Sequence, residues 1–126
     1  MCLSSIERYL DAWQNERLSS KFDFTHVGDQ VSDDMAELAA VLTVCDSAVV
    51  SDMTAAHVAG ALGRPMFLMM DIGGSWRWHM AGHEFSPWYP TARTFRQTVY
   101  GDWSDVVDRV CNELSRAVAM GQTKAA

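Results

Sequence analysis

SAVVSDMTAAHVAGALGRPMFLMMD, residues 47–71, reads as strand, tight turn, helix and strand. Val49 and Val50 sit in a short β-rich run that Asp52 closes. Residues 54–62 are rich in alanine, with Val58 and Leu62 at helical spacing. Gly63, Arg64 and Pro65 stop that helix, because glycine accepts a left-handed cap and proline cannot continue the ladder. Residues 66–70 are a continuous apolar run, the pattern of a strand covered on both faces. The stretch therefore predicts a βαβ unit with parallel neighbouring strands and a right-handed crossover.

In an open sheet of this kind, ligands collect outside the carboxyl ends of the strands. A helix that starts there aims unpaired N–H groups and a partial positive charge at the crevice, which suits an anion and a phosphate above all. The turn Ser51, Asp52, Met53, Thr54 occupies that place, and His57 follows one turn into the helix. A second reading of the same residues is structural: Asp52 caps the helix and His57 is an ordinary half-buried side chain. The turn has no full glycine fingerprint that would decide between them.

Working outward, Asp34 with Glu37 three positions on gives a capping-box pattern for a helix whose buried side would be Met35, Leu38, Leu42 and Cys45. Ahead of it, Leu3, Ile6, Leu10 and Trp13 form one apolar stripe on an expected first helix over residues 4–16. FDFTHV, residues 22–27, reads as a short strand, and Gly28-Asp29 as a turn. After Met70, Gly73 and Gly74 let the backbone bend sharply or approach a ligand closely, and residues 75–79 suit a short helix. Residues 81–90 form a rigid irregular loop. Trp76, Trp78, Trp88 and Tyr89 cluster there, either packing the loop on the domain or presenting an aromatic wall to a ligand or partner. Residues 92–97 read as another strand. Ser104 is the expected cap of a last helix buried through Val106, Val107, Val110, Cys111, Leu114 and Val118. Residues 121–126 should fray. The expected fold is α/β: a Rossmann-like α/β/α three-layer domain with a short, mostly parallel sheet of about four strands.

The 126 residues suit a single domain, and the 48% hydrophobic content suits a packed core. A formal charge of -6 without a Lys/Arg run argues against nucleic acid as a partner. No apolar run reaches the length of a membrane span, and the first residues lack a secretory pattern, so the expected location is cytoplasmic. Cys2, Cys45 and Cys111 are odd in number and widely spaced, as for reduced thiols. His26, His57, His79 and His83 lack a convincing ligand spacing, so neither metal nor cofactor is expected.

The run from Phe24 to Leu114 resembles the C-terminal half of bacterial heptosyltransferase-like glycosyltransferases. The likeness is strongest to the glycosyltransferase-like domain that follows tetratricopeptide repeats in many bacterial proteins. It rests on ordered motifs over roughly ninety residues: Asp52 with His57, Ala59-Gly60-Ala61-Leu62-Gly63 and Pro65; then WRW at 76–78, SPWYP at 86–90, FRQ at 95–97 and GDW at 101–103. The resemblance implies the nucleotide-sugar-binding lobe of a GT-B fold. In that family the helix N-terminus after the aspartate holds the donor diphosphate, and the histidine matching His57 lies beside it. It implies a nucleotide- or phosphate-binding set of Asp52, Met53, Thr54, His57, Gly73, Gly74, Ser75, Trp76 and Arg77. The loop of Gly73 to Trp76 would sit over the nucleotide or sugar.

Two departures from the family shape the expectation. Met53 stands where the family has Thr or Ser, with Thr54 one place later. The acceptor lobe with its catalytic base, and the basic first loop of the donor lobe, have no counterpart in this sequence, which leaves Arg77, then Arg93 and Arg96, as candidate cations. The expectation is a stand-alone donor-lobe-like module that is not catalytic alone, serves binding or assembly, and holds a nucleotide sugar or nucleoside diphosphate weakly. The alternative is the donor half of an active enzyme, completed by a partner lobe or by further sequence. A homodimer is expected on the ground that an incomplete sheet leaves surface to cover.

Overall fold

The computed structural model describes residues 34–78 and 84–121. In chain order these form α1 (Met35–Val44), β1 (Ala48–Ser51), α2 (Thr54–Ala61), β2 (Met66–Met70), a 3-10 turn (Trp76–Trp78), β3 (Ala92–Arg96) and α3 (Ser104–Ala119). The expected helix over 4–16, the turn at 28–29, the strand at 22–27, His26, His79, His83 and the tail at 122–126 lie outside the described residues. The described sheet has three strands in the order β1-β2-β3, all parallel.

Alternation along these strands makes three layers. Ala48, Val50, Met66, Leu68, Met70 and Ala92 face one way and pack with Leu42 of α1, Ala55, Ala56 and Ala59 of α2, and Trp78. Val49, Phe67, Met69 and Phe95 face the other way, against Val106, Val110 and Leu114 of α3. The fold is thus a small Rossmann-like α/β/α domain. Successive parallel crossovers that step the same way across a sheet, with the same hand, lie on one face. Accordingly α2, between β1 and β2, and Trp78 and Tyr89, between β2 and β3, belong to the same layer.

The buried residues of α2 are alanine and glycine, which let the helix lie close to its neighbours. A Cβ on Gly60 would overlap the Tyr89 ring. The helix ends in a Schellman arrangement: Gly63 has φ 65°, its N–H donates to Gly60 C=O (3.0 Å), and Arg64 N–H donates to Ala59 C=O (2.9 Å). Asp34 caps α1 by accepting from Ala36 N–H at 2.9 Å. On that helix Leu42 is buried and Leu38 half-buried, whereas Met35 is exposed.

Two details of α3 differ from the spacing argument. Ser104 is its first helical residue, not the cap: Trp103 holds the cap position with no side-chain cap hydrogen bond, and Asp102, one residue ahead, accepts from Ser104 N–H at 2.9 Å. The covered face is also narrower than six residues: Val106 and Val110 are buried and Leu114 half-buried, while Val107, Cys111 and Val118 are exposed. A single helix presents one line to a flat sheet, and the flanks of its apolar sector stay open unless a second element meets them.

β3 stops at Arg96, although Gln97 N–H still donates to Met70 C=O at 2.9 Å. Its outer edge is met by residues 84–86. Phe85 bridges Arg93 antiparallel, Thr94 N–H donates to Glu84 C=O (2.7 Å), and Ser86 N–H donates to Ala92 C=O (3.4 Å). Among the described residues no helix is long and apolar enough to cross a membrane.

Candidate functional site

Because all three strands are parallel, Ser51, Met70 and Arg96 end at one side of the sheet, and α2 starts there. Met53 holds the cap position of α2 in an extended conformation (φ -142°, ψ 174°), with no side-chain cap hydrogen bond. Thr54, the first helical residue, is exposed.

Asp52 does not cap this helix. Its carboxylate accepts from Trp78 Nε1 at 2.6 Å. Trp78 is fully buried, so this bond gives a partner to an indole N–H that has no access to water. The Trp78 ring stacks on His57 with centroids 4.8 Å apart and planes 28° apart. His57 Nδ1 lies 3.2 Å from the Tyr89 hydroxyl, and Tyr89 meets both His57 and Trp78 through its ring. His57 is therefore engaged by two aromatic side chains from the β2–β3 connection.

The other half of the expected site lies in that same connection. Gly74 has φ 49°, and its N–H donates to the Asp71 carboxylate. The Arg96 guanidinium rests on Gly74, where a Cβ would overlap it, and its Nη1 donates to Asp71 C=O at 3.4 Å. Gly74 is thus required twice, for its left-handed backbone and for the closeness of the arginine. Gly73 precedes it in the exposed part of the turn. Ser75 Oγ accepts from Arg77 N–H and Arg77 Nη1, both at 3.3 Å. Arg77 lies over the exposed Trp76 ring, 5.0 Å from its centroid.

The structure places Asp52, Met53, Thr54 and His57 on the β1–α2 side, and Gly73, Gly74, Ser75, Trp76 and Arg77 on the β2 side. Trp78 joins the two groups. The aromatic cluster divides: Trp78 and Tyr89 pack the loop onto α2, whereas Trp76 and Trp88 face solvent. Two cations, Arg77 and Arg96, share this edge with the carboxylates of Asp52 and Asp71, so its charge is close to balanced. Sequence reasoning missed the joining role of Trp78, and it ranked Arg96 below Arg77. The run of small residues ending in Gly60 signalled a close neighbour for α2, and the ring that meets Gly60 is that of Tyr89; no local signal pointed to Trp78.

No family model matches the chain, and no solved structure matches it. The chain is similar to Protein FlbA of Caulobacter vibrioides, with 31% identity over 105 residues. The aligned stretch covers 83% of this chain and 15% of FlbA, so the chain spans a small part of that protein's length.

Proposed function

We propose that this domain is a donor-lobe-like module of glycosyltransferase ancestry that binds a nucleoside diphosphate or nucleotide sugar weakly, does not catalyse transfer alone, and serves binding or assembly. The observation that carries the reading is the N-terminus of α2: it opens at the carboxyl edge of a parallel sheet and has no side-chain cap. Its first N–H groups and the positive end of its dipole suit a diphosphate. The Asp71–Arg77 turn supplies glycine backbone and Arg77, and Arg96 from the end of β3 lies against it. Asp52 and Asp71 oppose an anion there, which accounts for weak binding. One lobe cannot orient donor and acceptor together or exclude water from both, which accounts for the absence of transfer by this lobe alone.

A thermal-shift titration of the full chain with nucleoside diphosphates at millimolar concentration tests the site. A ligand at 100 times its Kd adds about 2.7 kcal/mol of stability, several degrees for a domain of this size. Met53→Asp installs a cap that competes for the same N–H groups and should abolish the shift. The absence of any shift with the native chain overturns the reading.

The FlbA alignment favours a second reading, in which the domain is the donor half of a larger enzyme: the similar region there is one part of a much longer chain. That reading expects sugar transfer only when an acceptor lobe is supplied in the same chain or as a partner. Transfer by the present chain alone contradicts the first reading.

A further inference from the structure

The 3-10 turn Trp76–Trp78 carries two tryptophans with opposite fates. Trp78 is fully buried, whereas Trp76 is 74% exposed. A single exposed ring has by itself no consequence. Three observations give this one a use. The Arg77 guanidinium lies over one of its faces, 5.0 Å from the centroid, which leaves the opposite face as the open one. The turn that carries it is held in place. Ser75 Oγ accepts from Arg77 N–H, Gly74 N–H donates to the Asp71 carboxylate, and Trp78 Nε1 donates to Asp52 at 2.6 Å, beside the start of α2. Finally, Gly73 is bare without a structural reason. Its φ lies outside the left-handed region. Beyond its chain neighbours, a Cβ there would meet no atom nearer than the Asp71 carboxylate at 3.5 Å, an ordinary contact. The fold demands Gly74 but not Gly73, and the other use of a glycine is to let a ligand come close to the backbone.

We propose that Trp76 is the platform on which the nucleobase of a nucleoside diphosphate stacks, with Gly73 kept small so that the nucleoside can lie against the turn. The inference rests on the phosphate reading of the α2 N-terminus and assigns the other end of the same ligand. Trp78 ties the two places into one rim. It is bonded to Asp52, the residue before the cap position Met53, and no more than ~8 Å of backbone separates it from Trp76. The chain around the ring is two glycines, a serine and an arginine, so Trp76 is an isolated plate and not part of the broad apolar face that a protein partner would cover. Stacking accepts any base, because every base has a π-face, and a ring on a turn that is already fixed loses little freedom on binding. Stacking also needs no charge. It therefore adds affinity at an edge where Asp52 and Asp71 oppose the phosphates.

The test titrates the full chain with uridine diphosphate, adenosine diphosphate and inorganic pyrophosphate by calorimetry, with tryptophan fluorescence read in parallel. Both nucleotides should bind about tenfold more tightly than pyrophosphate and quench the emission, which pyrophosphate should not do. Trp76→Ala should bring both nucleotides to the level of pyrophosphate and leave pyrophosphate unchanged. Trp76→Phe keeps a ring, so it should retain most of the preference while losing the quenching. Gly73→Ala should melt no lower than the native chain and weaken both nucleotides at least threefold; unchanged nucleotide binding there overturns the part given to Gly73. Nucleotides that bind no more tightly than pyrophosphate, or equally well to Trp76→Ala, overturn the proposal and leave the diphosphate site standing. So does a dependence on Trp76 that appears with uridine diphosphate glucose alone, which would put the sugar on the ring. Binding of none of these ligands overturns the proposal together with the reading on which it rests.

Discussion

At the scale of single residues, Trp78 ties the site together. Its ring fills the space between α2 and the β2–β3 connection, and its N–H occupies Asp52. Trp78→Ala removes ring volume from the core and should lower unfolding stability by about 3–5 kcal/mol, read from urea denaturation. Trp78→Phe keeps a ring against His57 but loses the hydrogen bond. Asp52 is exposed and regains water in that variant, so the loss should be nearer ~1 kcal/mol beyond the change in volume. Equal losses in the two variants would mean that volume decides nothing at this position. Gly60→Ala is a second probe of the same packing. Alanine is the better helix former, yet the added methyl meets the Tyr89 ring, and overpacking should destabilise by about 1–3 kcal/mol. A stabilised Gly60→Ala would show that the ring yields freely.

At the scale of elements, the ends of the helices separate capping from backbone strain. Nothing lies near the place of a Cβ on Gly63, so Gly63→Ala reports the left-handed φ alone, about 1–2 kcal/mol. Asp34→Ala should cost about 1 kcal/mol through the lost bond to Ala36 N–H. On α3, a hydrogen bond from Arg109 and its charge hold the Asp105 carboxyl below its usual range, with a smaller contribution from Thr98 and some opposition from desolvation. A carboxyl whose pKa is lower in the folded state stabilises the fold above the ordinary carboxylate pKa and loses that contribution as pH falls through its own lower value. Arg109→Gln should therefore flatten the acid limb of the stability–pH curve below about pH 4. An unchanged limb would remove Asp105 from the acid response.

Much of this layer was legible in advance, because the punctuation is local. Gly63 and Pro65 end α2, Asp34 starts α1, and the unbroken apolar run of β2 marks a doubly covered strand. The width of the buried face of α3 was not legible. Periodicity shows that a helix has an apolar sector; the neighbour that covers it decides which part is buried. The candidate site divides in the same way. Its location at the strand ends follows from the order of elements. The fates of Asp52 and His57 depend on Trp78 and Tyr89, more than twenty residues away, and no local spacing encodes such contacts.

At the scale of the whole molecule, electrostatics sets what the sheet edge can hold. The chain carries a formal charge of -6, and two of its carboxylates stand at the proposed crevice. Asp71→Asn keeps the acceptor for Gly74 N–H and removes one negative charge. It should tighten nucleoside diphosphate binding about fivefold, the equivalent of ~1 kcal/mol in a well-hydrated site, as read by calorimetry. Weaker binding in that variant would place the anion elsewhere.

The segment at residues 84–86, laid against the outer side of β3, has a geometric outcome for growth of the sheet. With that rim already paired, an incoming strand finds its main-chain donors and acceptors spoken for. Among the described residues β1 is bonded on one side only, so any lengthening of the ribbon proceeds past β1, in one direction.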